Sequence, residues 1–494
     1  MSRVWVVLSL LIAGCSADGP SSPQGTGLPV LHQSFELNQG ETQDVRLPGG
    51  TVARIKLNGI TDVVDEVNGA IRESQVLLEV DGVRVSMTSG NYTLPATLGR
   101  IQIDCPVTKG YLAKGSRNNI WGLGKDARIR VWPAGSPWIE PGTFGYPARQ
   151  VWFASATQMS NEPVYADGGD LLAKKQIYYH YGLDIGGSEG LIDVVAATDG
   201  LVVSSGKDVL EGPGREKPVE PRYDVVYLLD GRGWYYRYSH MKYIDPAIRI
   251  GVRVRLGQKL GVLGKEGGSG GWSHLHVDIT RKQPSGLWGI EDGYAFLWQA
   301  SQAEHPRPLT AVARPHALIW AGQEATINSW MSQGEGLVHD WTFTDGSHSS
   351  QNRFGKVYEK PGTYCEVLKV TDSAGRVDYD FMYVHVIDRA RPEQPPPVLH
   401  ATYAPTYGIR PDDPVVFKVR TFRDTEGGET WDFGDGSKPV TVKSDANKDM
   451  HAATGYAETI HKYSKPGHYL VSVEHTSAGG VKAVARLQVR VGID

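Results

Sequence analysis

Four histidines and one aspartate fall in patterns suited to a metal site with proton-handling partners. They lie in His180-Tyr181-Gly182-Leu183-Asp184, in Tyr238-Ser239-His240 and in Ser273-His274-Leu275-His276-Val277-Asp278. Imidazole nitrogen and carboxylate oxygen are ligands that zinc favours, and a catalytic zinc keeps three protein ligands and one open position for water or substrate. Four histidines and an aspartate cover that need and leave two histidines for work on protons. The chain holds 15 histidines, so it is their conjunction with neighbouring motifs that carries weight.

The elements that must position these residues can be read around them. Leu275, Val277 and Ile279 alternate with His274, His276 and Asp278, the period of two of a half-buried strand, so both histidines leave the same face. His180 and Asp184 have helical spacing, but Gly182 between them and Gly186-Gly187 after them argue for a loop running into a strand. An even separation along that strand still puts the two side chains on one side. The glycine-rich run from Gly251 to Gly264, with Gly257-Gln258 and Gly261 inside it, reads as two short strands and tight turns leading into His-x-His.

The order His-x-Gly-x-Asp, Tyr-Ser-His, Gly-Gln-x-Leu-Gly-x-x-Gly and His-Leu-His resembles the lysostaphin-type (LytM-like) zinc metallopeptidases, which cut peptidoglycan cross-bridges and stem peptides. The resemblance covers roughly residues 176 to 283. It implies one zinc per chain held by His180, Asp184 and His276, with His240 and His274 as the catalytic histidines. Two departures stand out: Val277-Asp278 where the family usually has Phe-Glu, and Tyr223-Asp224 where it usually has Gly-Asn. The charged segment Glu211 to Pro221 reads as a longer loop at the cleft rim, where loops often select substrate. The ligand set implies a metal-activated water as nucleophile, and with no His-Glu-x-x-His helix present, histidine takes the place of glutamate as base.

At the start of the chain, Arg3 precedes an apolar run from Val4 to Ala13. About ten apolar residues are too few for a membrane span, which needs about twenty, and mark an export signal. Ile12-Ala13-Gly14-Cys15 resembles a bacterial lipobox, which implies a signal peptide over 1–14 and lipidation of Cys15, anchoring the protein at the cell envelope. Ser16 after the cysteine favours the outer membrane by analogy with diderm lipoproteins. Residues 15–30, rich in Gly, Ser and Pro, have the composition of a flexible tether. Beyond Cys15 only Cys105 and Cys365 remain, so no disulfide framework is expected.

The 494 residues suggest several domains. A net charge of −4 gives no basic surface for nucleic acid. Short alternating runs such as Val52–Leu57, Val76–Val80 and Ile129–Trp132, broken by Pro48-Gly49-Gly50 and Asp81-Gly82, predict an antiparallel β-sandwich over 31–145. That domain reads as a spacer or scaffold, or as a cover over the active-site cleft. The peptidase domain is expected over 146–304, closed by a helix near Tyr294–Ala303.

An internal repeat follows. Trp341-Thr342-Phe343-Thr344-Asp345-Gly346 with Tyr358 and Pro361-Gly362-Thr363-Tyr364 returns as Trp431-Asp432-Phe433-Gly434-Asp435-Gly436 with Tyr463 and Pro466-Gly467-His468-Tyr469. These segments resemble PKD-type immunoglobulin-like domains, expected over 305–390 and 399–494 with a proline-rich linker at 391–398. Such modules act as spacers or contact proteins or polysaccharides, and Asp345 and Asp435 read as turn formers rather than calcium ligands. The expectation is therefore a mainly β, multidomain, exported zinc endopeptidase acting on peptidoglycan peptides. The alternatives are a peptidase of the same type acting on a non-wall protein, and a non-catalytic envelope lipoprotein that binds the wall or regulates an amidase.

Overall fold

The computed structural model describes residues 27–164, 177–212 and 219–493. Cys15, the signal segment and most of the tether lie outside the described residues, as does the middle of the Glu211–Pro221 loop. Strands dominate, as the alternating patterns predict, and among the described residues no helix is long and apolar enough to cross a membrane.

Two four-stranded antiparallel sheets form the N-terminal sandwich. One contains Gln33–Leu37, Ala127–Pro133, Ile101–Thr108 and Ala96–Leu98; the other contains Thr42–Arg46, Val52–Val64, Ile71–Val80 and Val83–Thr88. Their inward residues, among them Phe35, Leu57, Leu78, Ile103 and Ile129, pack into one core. The sandwich is tied to the next domain by buried charge: Arg130 donates to Glu291 at 2.8 Å as well as pairing with Asp104.

The catalytic-type domain is built on a twisted antiparallel sheet. Its centre runs Val226–Asp230, Tyr235–Ser239, His274–Lys282, Leu183–Gly186. Leu275, Val277 and Ile279 enter a core shared with Leu183, Ile185, Tyr236 and the Tyr294–Glu304 helix, while the histidines take the opposite face. Trp132, Phe144, Tyr146 and Trp152 belong to that same core. The glycine-rich run forms the short strands Arg253–Val254 and Lys259–Leu263, the latter in a small sheet with Asp193–Val195 and Met241–Ile244.

Both repeats fold as immunoglobulin-like sandwiches with the same internal anchors. Trp341 stacks with Phe343 at 6.1 Å and Trp431 with Phe433 at 6.2 Å. Both tryptophans are fully buried. Tyr364 donates to the carbonyl of Lys360 and Tyr469 to that of Lys465, so the Lys-Pro-Gly-x-Tyr turn is pinned identically twice. Asp345 and Asp435 each accept the backbone N–H two residues on at 3.0 Å and give their second oxygen to Lys356 and His461, which makes them turn formers. The two modules meet edge to edge where Thr363 pairs in parallel with Ala483, and Arg490 pairs with Asp378 across the same contact.

Neither module stands clear of the catalytic-type domain. Val312, Met331 and Ala404 enter its core. Lys418 Nζ donates to the Glu189 carbonyl, Arg420 Nη1 to that of Gly271 and Asn447 to that of Gly270. Cys105 and Cys365 are both buried and unpaired.

Candidate metal centre

Strand register explains why the ligand candidates meet. Asp184 lies directly opposite His276 in the antiparallel pair, and Gly186 opposite His274. On the other flank His276 faces Ser239, which delivers His240 to the same place. Directly opposed side chains on one sheet face stand about 4.5–5.5 Å apart at Cβ, close enough to share an ion. His180 reaches them over the turn at Gly182, whose φ is +74° and where a Cβ would lie 2.6 Å from the Val277 carbonyl oxygen. No side chain fits that approach.

His180 Nε2 is 3.1 Å from His276 Nδ1 and 3.1 Å from Asp184 Oδ1, and His276 Nδ1 is 2.8 Å from Asp184 Oδ1. Ligands at about 2.0–2.1 Å from a tetrahedral zinc stand roughly 3.4 Å apart. The triangle therefore needs to open only slightly to take such an ion, and the donor set of two imidazoles and a carboxylate suits it.

Backbone and side-chain partners fix which nitrogen faces inward. His180 Nδ1–H points to the Met159 carbonyl at 3.2 Å, leaving the Nε2 lone pair for the ion. His276 is turned the other way: its Nε2 lies 3.3 Å from Asp278 Oδ2, so a carboxylate orients the ring from behind. Burial alone would lower the pKa of His276, but the hydrogen bonds of Asp184 and Asp278 outweigh it and raise the pKa above the ordinary value. A cation entering the triangle must displace that proton.

His240 and His274 flank the triangle without completing it. Their rings lie 4.6 Å apart, and His274 Nε2 is 3.4 Å from Asp184 Oδ2. His240 Nδ1 is 2.7 Å from the Glu266 carbonyl and His274 Nδ1 is 3.0 Å from that of Trp272. A carbonyl only accepts, so both protons sit on Nδ1, for His240 because the 2.7 Å carbonyl outweighs the Arg222 guanidinium 3.4 Å from the same nitrogen, and each Nε2 keeps a lone pair that can take a proton. Burial, followed for His240 by the neighbouring imidazoles, lowers both pKa values, so the rings are neutral near pH 7. All four histidines are between 2 % and 9 % exposed, so the electrostatics here are those of a largely dry site.

Sequence reasoning passed over several supports. His240 is held at φ +67°, a region that costs a non-glycine residue about 1–3 kcal/mol and recurs at functional sites. Asp224, fully buried, stabilises that turn by accepting the His240 N–H at 2.9 Å and is itself paired with Arg222. Asp224 and Asp278 are the two departures from the family pattern, and each touches a site histidine; that was the available signal. Lys265 and Glu189 form a buried pair at 2.6 Å beneath the loop leading to Trp272 and Ser273. The centre opens into a cavity of about 220 Å³ whose far wall is made by the two C-terminal modules.

Comparison with known families gives three matches: peptidase family M23 at residues 178–286, and a PKD domain at 305–386 and again at 400–489. The chain thus carries an M23 peptidase domain followed by two PKD domains. The M23 segment overlaps the stretch with lysostaphin-type motifs. Among solved structures, Helicobacter pylori Csd3 is 13% identical, with 53% of this chain and 81% of that one covered, at a TM-score of 0.22. A Pseudomonas aeruginosa protein assigned to peptidase M23 is 14% identical, with 56% and 96% covered, at 0.20. The fibronectin(III)-like modules of Clostridium thermocellum CbhA are 14% identical, with 37% and 92% covered, at 0.15.

Proposed function

We propose that the M23 domain of this chain is a zinc-dependent endopeptidase that hydrolyses peptide bonds in peptidoglycan cross-links or stem peptides. The observation that carries the reading is the triangle of His180 Nε2, His276 Nδ1 and Asp184 Oδ1, flanked by two neutral histidines whose Nε2 lone pairs are free. Zinc held by His180, Asp184 and His276 would supply Lewis acidity toward the scissile carbonyl and toward water. His240 and His274 handle the protons: one Nε2 accepts the proton of the attacking water. The resulting imidazolium then faces the developing oxyanion and returns a proton to the leaving amine. Because each Nδ1–H is anchored on a backbone carbonyl, neither ring has to turn to do this.

The confined cavity supports a thin, extended substrate such as a wall peptide over the surface of a folded protein. We further propose that the protein is exported and anchored by lipid at Cys15, which would place this site beside the wall. Incubating purified peptidoglycan with the whole chain, with and without a zinc chelator, tests the reading. New amine termini are expected, abolished by chelation and restored by zinc, and mass spectrometry of the fragments identifies the bond. No new amine termini under zinc-replete conditions would overturn it.

A further inference from the structure

The second PKD module does more than lean on the peptidase domain. His400 of its first strand, Val398–Ala404, lies against Trp272, with ring centroids 4.9 Å apart, and Trp272 in turn stacks on Phe422 of the same module at 4.3 Å. Trp272 is two residues before His274, so the module grips the base of the catalytic-type strand.

The protonation state of His400 follows from its partner. Ser273 N–H donates to the Tyr456 hydroxyl at 2.8 Å, and that hydroxyl lies 2.7 Å from His400 Nδ1. Among the described residues the phenolic proton has no other acceptor in reach, so Tyr456 donates to Nδ1 and the imidazole proton sits on Nε2. That Nε2 lies 3.5 Å from where a Cβ on Gly186 would sit, and Gly186 is the residue paired with His274. His400 is neutral as well: burial, then the field of His274 and Arg420, lowers its pKa to about 3.

Charge is sorted across the cavity. The acids that line it, Glu162 and Asp184, come from the peptidase side, and no acidic residue on the PKD side lines it. That side presents His400, His316 and Arg486. His316 Nδ1 accepts the Tyr383 backbone N–H at 3.1 Å, so its Nε2 also carries the proton. Arg486 commits only its Nε to the Cys365 carbonyl at 3.0 Å among its described contacts. A wall of donors and positive charge facing a metal centre suits an anionic acceptor.

We propose that the PKD-side wall is a substrate subsite of the peptidase, in which His400 Nε2–H donates to a carboxylate of the bound peptide. The PKD modules then help choose the substrate instead of serving only as spacers. The inference rests on the peptidase reading, and its test separates the two. The probes are a peptidoglycan stem tetrapeptide with free carboxylates and the same peptide amidated. Binding to the zinc-loaded His274→Ala chain is read by calorimetry and turnover by the otherwise unaltered chain.

The chain with His400 intact should bind the free acid at least tenfold more tightly than the amide, a difference of about 1.4 kcal/mol. His400→Ala should raise KM for the acid about tenfold with kcat within twofold, leave the amide nearly unchanged, and be rescued by His400→Gln. Equal affinity for acid and amide overturns the subsite, as does binding of neither or an equal loss on both in His400→Ala. If neither peptide is cut although the acid binds selectively, the subsite stands and the peptidase reading fails. If His400→Ala does not fold, the acid–amide comparison in the His400 chain decides alone.

Discussion

Replacing Asp278 by Asn perturbs the metal centre from behind while leaving every proposed ligand in place. Asp278 is 3 % exposed; its Oδ2 lies 3.3 Å from His276 Nε2 and 3.6 Å from Arg237 Nη1, and Thr280 donates to its other oxygen. Two costs follow. Loss of the carboxylate that orients a ligating histidine weakens metal binding by about 10–100-fold, or about 1.4–2.8 kcal/mol. Removing one partner of a buried ion pair costs about 3–5 kcal/mol in stability, because Arg237 keeps its charge in a dry environment. The two are separable: competition against a chromophoric chelator at fixed pH reads the first, and unfolding of the metal-free chain reads the second. Asp278→Glu, which installs the residue usual in the family, keeps the carboxylate and should hold zinc within a few-fold of the unaltered chain. Zinc affinity within twofold of the unaltered chain in a folded Asp278→Asn protein would refute the role given to this carboxylate.

The ligand assignment predicts that His276→Ala loses both bound zinc and hydrolysis, whereas His274→Ala keeps the metal and loses most activity; metal analysis beside a turnover assay checks both. Lys265→Met should destabilise the peptidase domain by about 3–5 kcal/mol, with Lys265→Met/Glu189→Gln recovering much of the loss, as read from denaturant midpoints. In the first PKD module the hydrogen bond from Lys356, then that from Ser347, hold Asp345 at about 2, below its ordinary 3.8. A depressed carboxyl contributes stability above its unfolded pKa and loses it as pH falls through the folded one, so this contribution fades from about pH 4 to about pH 2. Lys356→Met should flatten that acid limb in thermal melts taken across the range.

Much of the site was legible because its chemistry is written in local patterns. The alternation from His274 to Ile279 predicts a strand with its histidines on one face, and the structure has that strand at His274–Lys282. Gly182 marks a turn in place of a helix between His180 and Asp184, and its φ of +74° gives the reason. The twin Trp-x-Phe-x-Asp-Gly motifs foretell two like modules because each buries the same tryptophan and pins the same tyrosine. Less was legible wherever a partner comes from far along the chain. Asp278 stood out as a departure from the family pattern, but its approach to His276 depends on how both side chains leave the sheet. His240 gave no sign that its backbone would be left-handed, since that turn is held by Asp224 sixteen positions earlier.

The residue types, the alternation and the glycine punctuation thus determined by themselves the mainly β architecture and singled out the histidines and aspartate that the fold brings together. These are properties of short segments, set by side-chain period and backbone freedom. Only the tertiary structure decided that Asp184 faces His276 across a ladder, that each imidazole turns a particular nitrogen inward, and that two modules readable as spacers form a wall of the cavity. Register, tautomer and domain docking are each fixed by groups tens to hundreds of residues apart, and no local pattern records a contact of that kind.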